Sequence, residues 1–196
     1  MRNPLLYKIF RPIVALWFKI KYRPVFINKK AIPKKGRAIL AGTHVSKTDP
    51  LLLLASTSRC IRGVAKDELF KGLGKFFFKG IGAIPVNRNS KDNNVVPACV
   101  NVLKKECLLG IAPEGTINRT EDIIMPFKTG AVRMSLESNS PIIPFAIIGE
   151  ITENYKSFKK GVKLAFGKPY HPKTTDVVKE TKVLENKVIE LIKKNS

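Results

Sequence analysis

The chain has 196 residues, enough for one domain with a substantial core. Its 44% hydrophobic content argues against disorder, and its three cysteines (Cys60, Cys99, Cys107) show no C-x-x-C or regular spacing, so neither a disulfide framework nor a zinc site is suggested. A net charge of +21 calls for a polyanionic partner: nucleic acid, an anionic membrane or a phosphorylated substrate.

The charge is concentrated at the start, where twelve Lys or Arg residues precede Asp49, the first acidic residue. Leu6, Ile9, Phe10, Ile13, Leu16, Trp17 and Ile20 follow helical spacing and predict one apolar face, with Lys8, Arg11 and Lys19 toward its flanks. An apolar stripe with cationic edges suits the headgroup region of an anionic bilayer, the plain alternative being a helix packed on the domain. Pro12 is expected to bend or divide this helix. No small-residue cleavage site follows, and four basic residues interrupt the apolar run, which argues against a secretory signal and a membrane span. Residues 1–36 are therefore read as a basic amphipathic membrane-anchoring segment and 37–196 as one domain, in a reducing, cytosolic setting.

"RAILAGTH" reads as a buried strand, and "DPLLLLASTS" as a helix with Asp49 at its N-cap and Pro50 at its first position. "CIRGVAKD" and "GAIPVNR" predict strands separated by the helix "ELFKGLGKFFFKG". A helix over Asn94–Glu106 leads into the strand and loop "CLLGIAPEGT". "KTGAVRMSLESN" predicts a helix, "PIIPFAIIG" and "VKLAFGKP" strands, and Asp176–Lys194 a final helix. Alternating strands and helices predict an α/β fold, a mostly parallel central sheet flanked by helices.

In such a sheet ligands gather where strands end, and three polar clusters fall there: "THVSKTD", "NR" and "PEGT". A lone His is more often structural, and Asp49 has a structural task as a cap. The two nevertheless have the parts of a general base, the carboxylate fixing the imidazole tautomer and leaving the other nitrogen to take a proton. Arg88 reads equally as a surface cation and "PEG" as an ordinary turn. No G-x-S-x-G elbow is present, no cysteine has an obvious partner His, and two distant histidines make no metal cluster.

"HVSKTD" matches the H-x-x-x-x-D motif of the glycerolipid acyltransferases. "GAIPVNR" (82–88), "APEGT" (112–116) and "PIIP" (141–144) resemble their second, third and fourth motifs, in family order. The chain is most similar to the bacterial members that acylate 1-acylglycerol-3-phosphate (lysophosphatidic acid) at its sn-2 hydroxyl to give phosphatidic acid. The resemblance implies His44 as the base and Asp49 as its orienter. It implies Arg88, with Lys66 as a second contact, on the acceptor's phosphate. Glu114, Gly115 and Thr116 would shape the acceptor pocket, Glu114 through a glycerol hydroxyl. It implies no metal and no cofactor, with acyl-CoA or acyl-acyl carrier protein as co-substrate, and a place on the cytoplasmic face of the cell membrane among anionic lipids. Two positions depart from the family pattern: Thr43 stands for the usual Asn, and Ile117 for an Arg that Arg119 is placed to replace. Rival readings are an acyltransferase for glycerol-3-phosphate or another lysophospholipid, an inactive adaptor on the same fold, and a basic nucleic-acid-binding protein. The last lacks any helix-turn-helix, zinc-finger or RRM signature, so no nucleic-acid partner is expected.

Overall fold

The structure is a computed structural model that describes residues 4–72, 74–86 and 95–196. Its sheet comprises β1 (Val25–Ile27), β2 (Ala38–Gly42), β3 (Ile61–Lys66), β4 (Ile84–Val86), β5 (Leu108–Ile111), β6 (Ile142–Ile148) and β7 (Lys163–Phe166). Among the described residues the strands lie in the order β1-β7-β6-β2-β5-β3-β4. Every neighbouring pair is parallel except β6 with β7. This is the expected mostly parallel sheet flanked by helices, and the central strand β2 is buried along its whole length, as such sheets require.

Side-chain alternation along the strands builds two cores. Ala38, Leu40, Leu108, Ile143 and Phe145 point to one face, where Phe18 of α1 (Leu5–Lys21) and Leu52 of α2 (Asp49–Ser56) cover them. Ile39, Ala41, Leu109 and Ala146 point to the other. There they meet α4 (Val95–Lys104), α5 (Gly130–Ser138) and α6 (Val177–Asn195). Helix α3 (Gly74–Ile81) packs beside α1.

The N-terminal segment differs from expectation in two ways. Helix α1 runs unbroken through Pro12. Its inner face explains this: Tyr7, Val14 and Phe18 are buried, the Tyr7 hydroxyl donates to the Arg59 carbonyl at 2.7 Å, and Arg11 Nε donates to the Thr57 carbonyl at 3.0 Å. Tertiary packing holds the helix where the proline alone weakens it. Nor does residue 36 mark a break in the fold, because β1 pairs with β7 and lies within the sheet. The opposite face of α1 stays apolar and open: Leu6, Ile9, Ile13, Leu16, Trp17 and Ile20 are all exposed.

Candidate active site

Parallel neighbours β2 and β5 pair Ala41 with Ile111, so their following loops leave the same end of the sheet side by side. Three residues beyond each pair member stand His44 and Glu114. The His44 N–H donates to Glu114 Oε1 at 2.7 Å, and the Met125 N–H donates to Glu114 Oε2 at 2.9 Å. Both carboxylate oxygens thus accept backbone N–H groups, and the residue is 4% exposed. Glu114 is a clamp between loops, its two oxygens tying the His44 and Met125 backbones together. Burial pushes its carboxyl above the ordinary range, opposed by those two backbone bonds.

Gly42 and Thr43 seat the strand end. A Cβ on Gly42 would lie 1.9 Å from the Phe145 carbonyl oxygen, so only glycine fits there. Thr43 is 2% exposed, and its Oγ1 accepts the Ile147 N–H of β6 at 2.9 Å. The threonine that departs from the family pattern therefore ties the loop to the neighbouring strand.

His44 and Asp49 meet as the spacing predicts. Nδ1 of His44 lies 2.7 Å from Asp49 Oδ2, which also accepts the Val45 N–H at 2.8 Å. Asp49 is not the N-cap expected. Thr48 holds that position, and Asp49 is the first helical residue, its carboxylate turned back onto the loop. The side chain of Asp49 is 5% exposed and that of His44 is 24% exposed. Burial raises the Asp49 carboxyl above its ordinary range, with the His44 hydrogen bond and charge opposing. A proton on Nδ1 directed at Asp49 leaves the lone pair on Nε2, the tautomer a general base requires.

At the third motif Gly115 has φ +76°, a left-handed conformation that favours glycine. Thr116 follows on the exposed rim. Lys128, which sequence reasoning passed over, places its ammonium beside Gly115, where an added Cβ would meet Nζ at 2.9 Å. Its own N–H donates to the Pro113 carbonyl at 3.0 Å, an apposition of two loops that no sequence spacing announces. Arg119 is exposed, its guanidinium 5.7 Å from the Tyr155 ring centroid. The second motif forms the edge strand β4, where Val86 pairs with Lys66 at the end of β3. Both strands end on the side of the sheet that carries His44. The Lys66 side chain and Arg88 lie outside the described residues. The fourth motif leads into β6 and forms its first three residues, with Pro144 opposite Ala41.

All three cysteines are buried thiols. Burial pushes Cys60 up to about 11 and Cys99 up to about 12, which keeps both protonated and poor as nucleophiles at neutral pH.

An acyltransferase family model matches residues 23–148. The 1-acyl-sn-glycerol-3-phosphate acyltransferase of Bacillus subtilis is 34% identical over 148 residues, covering 74% of this chain and 72% of that one. A probable 1-acyl-sn-glycerol-3-phosphate acyltransferase of Mycoplasma genitalium is 30% identical over 199 residues, covering 96% of this chain and 69% of that one. The crystal structure of the 1-acyl-sn-glycerophosphate acyltransferase of Thermotoga maritima superposes with a TM-score of 0.78 at 21% identity, over 96% of this chain and 77% of that one, and shows the same fold. The chain belongs to the acyltransferase family.

Proposed function

We propose that this acyltransferase moves a fatty acyl group from an acyl thioester to the sn-2 hydroxyl of 1-acylglycerol-3-phosphate, giving phosphatidic acid. The observation that carries the reading is the 2.7 Å contact between His44 Nδ1 and Asp49 Oδ2 at the end of β2. The named relatives support the acceptor.

His44 Nε2 takes the hydroxyl proton as the oxygen attacks the thioester carbonyl. The new C–O bond forms, the C–S bond breaks, and the proton passes from His44 to the departing thiolate. Asp49 holds the imidazole and stabilises its charged form. Such a base supplies roughly 10²–10⁴ in rate, and holding the two substrates in line supplies much of the remainder. With the Cys60 and Cys99 thiols protonated, the chain favours direct transfer over an acyl intermediate on either of them. Arg88 and Lys66 take the acceptor phosphate, Arg88 through paired, charge-assisted hydrogen bonds. Gly115 and Thr116 line the acceptor pocket, and Arg119 or Lys128 supplies the cation missing at Ile117. No metal or cofactor enters these steps. Among the described residues no helix is long and apolar enough to cross a membrane. The exposed face of α1 instead rests on anionic lipid at the cytoplasmic surface, where the lysolipid acceptor resides.

The test offers purified protein 1-acylglycerol-3-phosphate, glycerol-3-phosphate and other lysophospholipids, each with acyl-CoA and with acyl-acyl carrier protein, and resolves the products as lipids. Phosphatidic acid from the first acceptor is expected. Preferential acylation of another acceptor would replace this reading.

A further inference from the structure

A row of hydroxyl groups joins the end of the N-terminal helix to the loop that carries His44 and Asp49. Tyr22 follows α1 and is 3% exposed. Its ring lies edge-on to Trp17 with centroids 5.5 Å apart, and against Phe18 and Phe158 at 4.8 Å and 6.1 Å. Trp17 in turn is 43% exposed on the open apolar face. The Tyr22 hydroxyl accepts from Ser157 Oγ, and Ser157 Oγ accepts from Thr48 Oγ1 at 3.4 Å. Thr48 is itself tied to the fully buried Ser46, its N–H donating to Ser46 Oγ at 3.2 Å. One residue earlier, the Lys47 N–H donates to the Tyr155 carbonyl at 3.0 Å.

Residues 46–48 are three of the four between His44 and Asp49, so whatever fixes them helps to fix the distance between imidazole and carboxylate. Among the described residues, their hydrogen bonds from outside the loop and α2 come from segment 152–158, which closes on itself through the Thr152 N–H to Ser157 carbonyl bond at 3.0 Å. That segment meets the end of α1 through Tyr22, by its hydroxyl on Ser157 and its ring on Phe158, and through Phe18, whose ring centroid lies 6.5 Å from that of Phe158; of these only Tyr22 reaches the hydroxyl row. We propose that Tyr22, Ser157 and Thr48 are positioning residues that pass the seating of α1 on a lipid surface to the His44–Asp49 pair. Docking restrains Trp17, Trp17 restrains the Tyr22 ring, and the hydroxyl row then holds the loop in its reactive geometry. The proposal rests on the function given above and adds a dependence of turnover on the surface that presents the substrate.

Tyr22→Phe and Ser157→Ala each remove one hydroxyl and leave the ring packing in place, Ser157→Thr restores a hydroxyl, and the double variant tests whether the two act as one unit. Two measurements are made on the full chain. Amide hydrogen exchange of Lys47 and Thr48 is followed without substrate. Then kcat and KM for acyl transfer are compared in anionic vesicles and in detergent micelles. Each single loss is expected to speed exchange at Lys47 and Thr48 about tenfold, as the removal of one net hydrogen bond allows. Ile39 and Ile142 should stay protected. The kcat in vesicles should fall about fivefold with both KM values unchanged, while the micelle rate moves little. Ser157→Thr should recover most of the loss, and the double variant should be no worse than Ser157→Ala alone, since groups acting through one path are not additive. Unchanged exchange, additive losses, or equal losses in vesicles and micelles would each overturn the relay. Faster exchange in a protein that acylates no lipid would leave the loop coupling standing and remove the proposed function instead.

Discussion

His44 and Glu114 lie 70 residues apart in the chain, yet the His44 N–H donates to Glu114 Oε1 at 2.7 Å. The register of β2 on β5 brings them together, since each lies three residues past the pair Ala41–Ile111. The carboxylate also holds the Met125 N–H, so it fixes the backbone beneath the base from two sides. Glu114→Gln keeps the shape but turns an amide N–H₂ toward one of these donors. An unsatisfied buried donor costs about 1–3 kcal/mol, so the unfolding midpoint should fall by that equivalent and activity with it. A variant of wild-type stability would mean that the loop finds another acceptor.

His44→Ala removes a side chain that is 24% exposed and leaves no buried cavity. Acyl transfer should drop by roughly 10²–10⁴, the contribution of a positioned base. Circular dichroism should match wild type, while the melting temperature should fall modestly because the buried Asp49 carboxylate loses its imidazole partner. Turnover near the wild-type rate would require a different base.

Much of this arrangement was legible beforehand, for definite reasons. Strands β2, β5 and β6 are short apolar runs with Gly or Pro at or within two residues of their ends, and the His44–Asp49 contact depends only on local spacing. Contacts set by strand register or by packing at a distance were not legible. The Glu114 clamp needs β5 beside β2, and Thr43 needs β6. Strand β1 is three residues long, too short to show alternation, and it is stabilised by pairing with β7. Asp49 was misplaced as a cap because Asp-Pro is a common helix start, whereas the Val45 N–H and the His44 ring compete for the same carboxylate. Helix α1 carries apolar residues on two faces, and periodicity alone did not show which face meets the sheet.

Asp49 makes a prediction about pH. Its folded-state pKa lies above its ordinary value because burial disfavours the charge. Such a group contributes stability that is complete below the unfolded pKa and is lost as pH rises through the folded one. Asp49→Asn retains an oxygen for the Val45 N–H and the imidazole N–H but never charges. The variant should therefore gain on wild type as pH rises from about 4, the ordinary carboxyl value, and level off once pH passes the folded-state pKa. Its activity should fall, because an amide does not stabilise the imidazolium. Urea melts across that range would show the trend. A wild type that gains on the variant with rising pH would reverse the sign of the shift.

Arg88 is tested by substrate selectivity. If it grips the acceptor phosphate, Arg88→Ala should raise the acceptor KM about tenfold or more, the loss of a charge-assisted pair, and leave the donor KM within twofold. Arg88→Lys should recover only part, since an ammonium lacks the planar fork. Equal rises for both substrates would argue against a dedicated acceptor contact.

The lipid contact proposed for α1 calls for a gentler test than truncation. Deleting the helix would remove Tyr7, Val14 and Phe18 from the core and unfold the protein for reasons unrelated to lipid. Ile13, Leu16 and Ile20 are 63%, 59% and 69% exposed, so replacing all three with Ser leaves that packing intact. Burying one such side chain in the bilayer is worth about 1.5–3 kcal/mol at most, so the triple change removes a large share of the apolar attraction. Lys19 and Lys21 remain and contribute about 1 kcal/mol each on an anionic surface. Wild-type protein should float with anionic vesicles at low salt and bind more weakly, but still bind, at high salt, because only the charge part is screened. The triple variant should bind weakly at low salt and not at all at high salt, with an unchanged melting temperature. Equal flotation of both proteins at high salt would place the lipid contact elsewhere on the surface.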